Sequence, residues 1–171
     1  MGQVRSPGPA GERVLVQGGA GGVGVYVVQL AAILGADVTA TGRAGQGDFV
    51  RSLGARTFTE DAGDVRDGFD VVVDTVAGPA LEASYGLTRY GGRLVTLSAP
   101  PSAQRAEQLG IHAMFFVVTP DAAQLSRLAE LTDSGKLRPV VSQTFPLREG
   151  REAFESATRP HPPGKTVLLV R

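Results

Sequence analysis

Five glycines fall within residues 16–25, VQGGAGGVGV. Glycine loses the most backbone freedom on ordering, so such a run is typical either of flexible chain or of backbone that must closely approach something. The spacing Gly19-x-Gly21-x-x-Gly24 fits GxGxxG, in which the first glycine permits a tight turn, the second lets a pyrophosphate approach, and the third lets a helix pack on a strand. The predicted chemistry is diphosphate binding at a helix N-terminus, with a ligand-free turn as the alternative.

The residues after the next predicted strand indicate which dinucleotide is preferred. In Rossmann folds, an acidic residue about 20 positions past the glycine motif binds the ribose 2′-hydroxyl of NAD. This sequence has Thr41, Gly42 and Arg43 there, so no carboxylate repels a 2′-phosphate and Arg43 can pair with one. We expect NADP(H) rather than NAD(H). The alternative is that Arg43 is an ordinary solvated arginine.

The glycine run needs a strand before it and a helix after it, and the apolar pattern predicts both. RVLVQ (13–17) is a valine-rich buried strand, and apolar residues after the glycines continue for about three helical turns as far as Gly35. The further predicted elements are strands at 36–42, 56–59, 69–76, 93–97 and 111–118 and helices at 47–55, 79–88 and 120–135. This alternation predicts an α/β fold, a doubly wound parallel Rossmann sheet of order 3-2-1-4-5-6.

Three segments are expected along the chain. Residues 1–11, rich in proline and glycine, indicate a flexible lead-in. Residues 12–135 form the NADP-binding domain. The rhythm changes after Gly135, where a strand at 137–147, a helix at 148–157 and a strand at 164–170 predict a strand-helix-strand extension over 136–171.

Composition excludes several function classes. Lys+Arg and Asp+Glu balance at 17 each and no run of like charge occurs, so neither nucleic acid nor an anionic membrane is an expected partner. There is no cysteine, and His112 and His161 lie too far apart for a helical ligand pair, so we expect no metal site. No apolar stretch reaches membrane-spanning length. We expect a cytoplasmic protein with a small-molecule substrate.

The sixth predicted strand raises the question of a second copy. IHAMFFVV (111–118) is apolar and would lie at the sheet edge, where unpaired backbone groups favour pairing with another chain. A homodimer through this strand is one expectation. Coverage of the strand by residues 137–171 is the other.

In several ordered blocks the sequence resembles the cofactor half of medium-chain dehydrogenases/reductases, closest to the zinc-independent quinone oxidoreductases and zeta-crystallin. GERVLVQGGAGGVGVYVVQLA is similar to that family's strand, glycine loop and helix, and its usual AxxGxxG is matched here by Gly18-x-x-Gly21-x-x-Gly24. The blocks that follow in order are DFVRSLGA, FDVVVDTV, YGGRLVTL, the FF-containing strand, LRPVVSQTFPL and GKTVLLV. The resemblance covers about residues 11–171.

The resemblance implies a set of cofactor contacts. Gly19 and Gly24 belong to the motif; the pyrophosphate would contact Ala20, Gly21, Gly22 and Val23, and the adenosine ribose and its phosphate would lie beside Gly42 and Arg43. Loops after the fourth and fifth strands and the sixth strand itself would contribute Ala77, Gly78, Ser98, Ala99, Pro100, Phe116 and Val117. Phe115 and Phe116 could equally be core aromatics. Lys165 matches a lysine of the family but is also typical of a solvated strand end.

The resemblance also implies a function. It predicts an NADP-dependent, zinc-independent oxidoreductase that transfers hydride between NADPH and a quinone or activated carbon-carbon double bond. The family's separate N-terminal catalytic domain is not matched by this sequence, so no catalytic residue is assigned and little activity is expected from the chain alone. The alternative is a non-catalytic NADPH-binding, sensor or structural module. The short-chain reductases are a weaker rival, because none of the three tyrosines begins a Tyr-x-x-x-Lys pair.

Overall fold

The structure is a computed structural model that describes residues 11–64, 68–159 and 161–170. All but Gly11 of the predicted lead-in lies outside the described residues. The strands are β1 (Arg13–Gln17), β2 (Asp37–Thr41), β3 (Thr57–Thr59), β4 (Phe69–Asp74), β5 (Thr88–Thr96), β6 (His112–Phe115), β7 (Val141–Pro146) and β8 (Lys165–Leu169). The α-helices are α1 (Gly24–Ile33), α2 (Gly47–Ser52), α3 (Pro79–Leu87), α4 (Ala103–Leu109), α5 (Ala122–Asp133) and α6 (Gly150–Ala157).

Six parallel strands form the main sheet in the order β3-β2-β1-β4-β5-β6, which confirms the predicted doubly wound Rossmann fold. The strands β1 and β2 are buried on both faces, as is typical of a parallel sheet, whereas the edge strand β6 is largely exposed. Along β1, Val14 and Val16 pack into the cluster beneath α1 and α2, and Leu15 packs into the cluster beneath α3 and α4. The strand order reverses between β1 and β4, which places a crevice at the carboxyl ends of these two strands.

The C-terminal residues form a separate two-stranded parallel sheet, β7-β8, with α6 against it. This piece contacts the Rossmann part. The Gln29 side chain of α1 exchanges two hydrogen bonds with the backbone of Arg138, at 2.8 and 3.1 Å. Val140 packs against the α1 core cluster, and the Gly164 N–H donates to the Ala20 carbonyl oxygen at 3.3 Å. The C-terminal segment is therefore joined to the glycine loop itself.

Two strand predictions need correction. The turn predicted before the fifth strand lies inside β5, which begins at Thr88; residues 89–92 bulge out, because Thr88 pairs with Phe69 but Arg93 already pairs with Val71. The sixth strand ends at Phe115 instead of residue 118. Because β5 ends at Thr96, only one further backbone bond, from Phe116 N–H to the Thr96 carbonyl oxygen, extends the pairing.

Two helices also differ from expectation. Helix α4 was not predicted, because its only buried residue is Ala106 and it has no apolar periodicity; the Ser102 cap and left-handed Gly110 that bound it were the available signals. Helix α5 lies within the helix predicted at 120–135 and repeats leucine every three residues, at Leu125, Leu128 and Leu131, but none of its residues is buried. Its leucine stripe therefore faces outward on the described chain.

Asp70 lies at the amino edge of the sheet, and the folded protein stabilises the ionised form of its carboxyl group. Asp70 accepts the Arg13 backbone N–H at 2.7 Å and the Arg89 Nε–H at 2.5 Å. Burial alone would raise the pKa of Asp70, but these two donors outweigh it and hold the pKa below its usual value. The stabilisation is therefore complete above the unfolded pKa, about 3.9, and is lost as the pH falls through the lower folded value.

We expect Asp70→Asn to lower the free energy of unfolding at pH 7 by about 1 kcal/mol, or the melting temperature by about 3 °C. The difference from wild type should shrink as the pH falls below about 4, as measured by thermal unfolding across a pH series. Asp48→Asn is the control, since Asp48 is fully exposed and pairs only with Arg51. A difference that persists unchanged to pH 2 would show that the carboxylate charge contributes nothing.

Candidate functional site

The chain turns sharply after β1, and the turn depends on Gly18. Gly18 has a φ of 77°, a left-handed conformation that L side chains rarely adopt. Its N–H donates to the Thr41 hydroxyl at 3.1 Å, and the Gly19 N–H donates to the Thr41 carbonyl oxygen at 2.8 Å. The assignment of the turn to Gly19 is therefore wrong: Gly19 is needed because a Cβ there would lie 2.7 Å from the Ala40 Cβ on β2.

The third motif glycine lets α1 begin directly against this turn. A Cβ on Gly24 would lie 2.0 Å from the Gly18 carbonyl oxygen, a distance that no side chain tolerates. A Cβ on Gly21 would lie 3.2 Å from the same oxygen, which is tight but open on its other side. Gly24 thus serves helix packing, and Gly21 leaves space in front of the helix.

Unpaired backbone donors lie in the glycine loop at the N-terminus of α1. The N–H groups of Ala20, Gly22 and Val23 bond to no acceptor in residues 11–64, 68–159 or 161–170. No side chain caps the helix and its first turn has no acidic residue. Such an N-terminus has partial positive charge and binds anions. The arrangement fits a diphosphate without requiring any side-chain charge.

A cleft of about 670 Å³ lies in front of the glycine loop, within the range of small-ligand sites. It gathers the carboxyl ends of β1, β2 and β3, the start of α3 and part of the C-terminal segment. Its lining comprises Gln17, Gly18, Ala20, Gly21, Thr41, Gly42, Arg43, Gln46, Glu60, Asp61, Ala62, Thr75, Val76, Pro79, Ala80, Ala83, Leu87, His161, Pro162 and Pro163. Of the sequence-predicted contacts, Ala20, Gly21, Gly42 and Arg43 therefore share one cleft.

The charges of the cleft are mixed. Arg43 is exposed and makes no ion pair with any residue that the structure describes, so its guanidinium is available to an anion. Glu60 and Asp61, which follow β3, line the same cleft and were not considered in the sequence argument. Their position follows from the strand order, because β3 lies beside β2 and both strands end at this edge.

A buried polar chain beneath the cleft was also missed from sequence. The Thr41 hydroxyl donates to Gln17 Oε1 at 2.7 Å, and Gln17 Nε2 reaches Ser84 Oγ on α3 at 3.5 Å. Thr75 donates to the Gln17 carbonyl oxygen at 2.7 Å. These bonds connect the carboxyl ends of β1, β2 and β4. The sequence signal for this hydrogen-bonded chain was the polar residue at the end of each apolar strand.

Gly19, Gly22, Val23 and Gly24 of the glycine loop do not line this cleft. Apart from the glycine loop, Gly42 and Arg43, the predicted contacts lie at the same carboxyl edge and do not line it either. They sit in the turn after β4, the loop after β5 and the chain after β6, and they are Ala77, Gly78, Ser98, Ala99, Pro100, Phe116 and Val117. Phe115, Phe116 and Val117 are exposed, so neither phenylalanine is a core aromatic among the described residues. The family-matched Lys165 is adjacent to the glycine loop, since a Cβ on Gly22 would lie 3.3 Å from its Nζ.

The described residues contain neither a metal-ligand cluster nor a membrane-spanning helix. Residues 11–64, 68–159 and 161–170 bring no three His, Cys, Asp or Glu side chains together as metal ligands. Over the same ranges, no helix has the length and apolar character needed to cross a membrane.

Comparison with known proteins gives consistent matches. The sequence profile of a family described as zinc-binding dehydrogenase matches residues 34–168. The mitochondrial NAD(P)H oxidoreductase RTN4IP1 of Danio rerio is 30% identical over 193 residues, covering 94% of this chain and 50% of that protein. The chloroplastic NADPH-dependent alkenal/one oxidoreductase of Arabidopsis thaliana is 35% identical over 178 residues, covering 98% of this chain and 43% of that protein.

Among solved structures, the quinone oxidoreductase from Coxiella burnetii is similar with a TM-score of 0.87 and 29% identity. That match covers 95% of this chain and 54% of the Coxiella chain. The chain thus spans about half the length of the curated relatives that it matches.

Proposed function

Because the chain belongs to the zinc-binding dehydrogenase family of the medium-chain dehydrogenases/reductases, we propose that it is the NADP(H)-binding part of an oxidoreductase. The membership confirms the resemblance drawn from the sequence. The observation that carries the proposal is the set of unpaired N–H groups at the start of α1, beside a cleft that is lined by Ala20, Gly21 and Arg43. A diphosphate fits the unpaired N–H groups, and an anionic 2′-phosphate fits the Arg43 guanidinium.

Within this proposal, each part of the site has one task. The N–H groups of Gly22 and Val23 hold the pyrophosphate, and Arg43 holds the 2′-phosphate. When bound, NADPH supplies a hydride, and the protein binds and orients the cofactor. The Arabidopsis relative is named as NADPH-dependent, which supports NADP(H) over NAD(H).

The preference for NADPH rests on one side chain and can be tested there. We expect wild-type protein to bind NADPH more tightly than NADH. Arg43→Gln should lower the affinity for NADPH about 10-fold, or about 1.4 kcal/mol, and leave the affinity for NADH unchanged. Titration by nicotinamide fluorescence measures both affinities. Arg51→Gln is the matched control, because Arg51 is an exposed arginine on α2 that pairs with Asp48.

Equal titration curves of wild-type protein with NADPH and NADH would contradict the role of Arg43. That result would also have a physical reason, since Glu60 and Asp61 in the same cleft repel a 2′-phosphate. The failure to bind either dinucleotide would overturn the proposed function itself.

The substrate side of the proposal is a quinone or an activated carbon-carbon double bond, reduced without zinc. The names of the Coxiella quinone oxidoreductase and the Arabidopsis alkenal/one oxidoreductase support these substrate classes. The absence of cysteine from the sequence supports zinc independence of this chain. We assign no catalytic residue to it.

A non-catalytic NADPH-binding module is the second candidate, because the unpaired donors and the adjacent cleft support cofactor binding whether or not turnover follows. Residues 136–171 would complete a catalytic domain if one is joined to them, and the outward-facing Phe154, Leu168 and Leu169 offer an apolar surface for it.

A homodimer through β6 likewise stays a proposal, supported by the exposed Met114 and Phe115 of that edge strand. A cytoplasmic location is proposed from composition alone, and the Danio relative is named as mitochondrial.

A further inference from the structure

We infer that Asp74 and Thr96, a buried pair on neighbouring strands, are positioning residues for the nicotinamide half of the cofactor. The inference rests on the proposed NADP(H) binding. Asp74 ends β4 and Thr96 ends β5, they are register partners, and both side chains are fully buried. Neither touches the cleft in front of the glycine loop.

Asp74 fixes the turn after β4. Its Oδ1 accepts the N–H groups of Val76 and Ala77 at 3.2 Å each, and its Oδ2 accepts the Ala77 N–H at 3.1 Å. Ala77 has a φ of 69°, the one positive value among the described non-glycine residues. Such a conformation is strained for a residue with a side chain and persists only where surrounding contacts impose it. The carboxylate supplies those contacts.

Thr96 fixes the loop after β5 in the same way. Its hydroxyl lies 2.8 Å from the Ala99 carbonyl oxygen and 3.4 Å from Asp74 Oδ2, and can donate its single proton to either. The same oxygen lies 3.4 Å from the N–H groups of Ser98 and Ala99. One buried pair therefore determines the backbone of two loops at once.

These two loops contain the predicted cofactor contacts Ala77, Gly78, Ser98, Ala99 and Pro100. We place the nicotinamide half there because a doubly wound sheet binds a dinucleotide across the crevice where its strand order reverses. The loop after β5 lies on the far side of β4 from Arg43 and the ends of β2 and β3, where the adenosine part is proposed to bind. The turn after β4 lies between the two halves, and its Val76 lines the cleft that contains Arg43. A buried carboxylate needs its hydrogen bonds to offset desolvation. The hydrogen bonds of Asp74 therefore require the observed conformation of the turn after β4. We expect removal of this carboxylate to disturb that turn and the half of the site to which it belongs.

The test separates the two halves of the cofactor. Adenosine 2′,5′-bisphosphate contains the adenosine and the 2′-phosphate but no nicotinamide. Calorimetric titration of wild-type protein, Thr96→Val and Thr96→Ser with NADPH and with this bisphosphate gives an affinity ratio for each. We expect Thr96→Val to weaken the binding of NADPH about 10-fold and that of the bisphosphate less than 2-fold. Thr96→Ser keeps the hydroxyl and should give the wild-type affinity ratio. Asp74→Asn should change the ratio in the same direction.

A general loss of folding would weaken the binding of both ligands equally and leave the affinity ratio unchanged. A change in the ratio therefore indicates a positioning role and not a general structural one. Equal weakening of the two ligands in Thr96→Val, or no weakening of either, overturns this inference and leaves the proposed function intact. Failure of the wild-type protein to bind NADPH overturns both. Thr96→Val is nearly isosteric, so the test remains decisive even if Asp74→Asn does not fold.

Discussion

Replacing Gly24 by alanine is expected to destabilise the protein by at least about 3 kcal/mol, or about 10 °C in melting temperature. The added Cβ would lie 2.0 Å from the Gly18 carbonyl oxygen, 2.8 Å from the Gly18 carbonyl carbon and 2.9 Å from the Gly19 Cα. All three are backbone atoms, so no rotamer change relieves the clash. The start of α1 would have to move away from β1, opening the core cluster that contains Val16 and Val25.

Gly86→Ala is the matched control on α3. Gly86 is exposed, and a Cβ there would meet nothing within 4 Å, so alanine should stabilise the helix by about 0.5–1 kcal/mol. Thermal or urea unfolding of the two variants compares the same chemical change in two settings. A Gly24→Ala protein as stable as wild type would mean that α1 does not begin against the Gly18 turn.

The unit from β1 to β2 could be predicted in detail because its signals are local. The strand, the five glycines, the left-handed Gly35 and Arg43 all fall within about 30 residues of sequence. The motif did mislead at one position. Spacing alone cannot separate Gly18 from Gly19, since what decides between them is a φ of 77° at the first and the nearness of Ala40 at the second.

The features that were missed depend on which strands lie side by side. Glu60 and Asp61 reach the cleft only because β3 pairs with β2. Asp74 and Thr96 meet only because β4 and β5 pair in a register set by the bulge at residues 89–92. His161 comes from the far end of the chain. Each contact joins residues that a periodicity argument treats separately, and the short helix α4 offered too little buried apolar surface to be detected.

Gly21→Val is expected to abolish NADPH binding while leaving the fold. The Cβ would lie 3.2 Å from the Gly18 carbonyl oxygen, so a shift of a few tenths of an ångström accommodates it and the loss of stability should stay near 1 kcal/mol. Gly21 lines the cleft, so the valine methyl groups would take up space beside the N-terminus of α1, where the diphosphate is proposed to bind. We expect the dissociation constant to rise at least 100-fold, or about 2.7 kcal/mol.

Fluorescence titration with NADPH measures this loss, and Gly86→Val provides the same substitution away from the cleft, with unchanged binding expected. Because α1 has no side-chain cap at its N-terminus, the backbone donors are the proposed contacts for the diphosphate. A Gly21→Val protein that still binds NADPH with wild-type affinity would therefore move the pyrophosphate away from the glycine loop. It would leave Arg43 and the C-terminal His161 and Lys165 as the candidates to hold it.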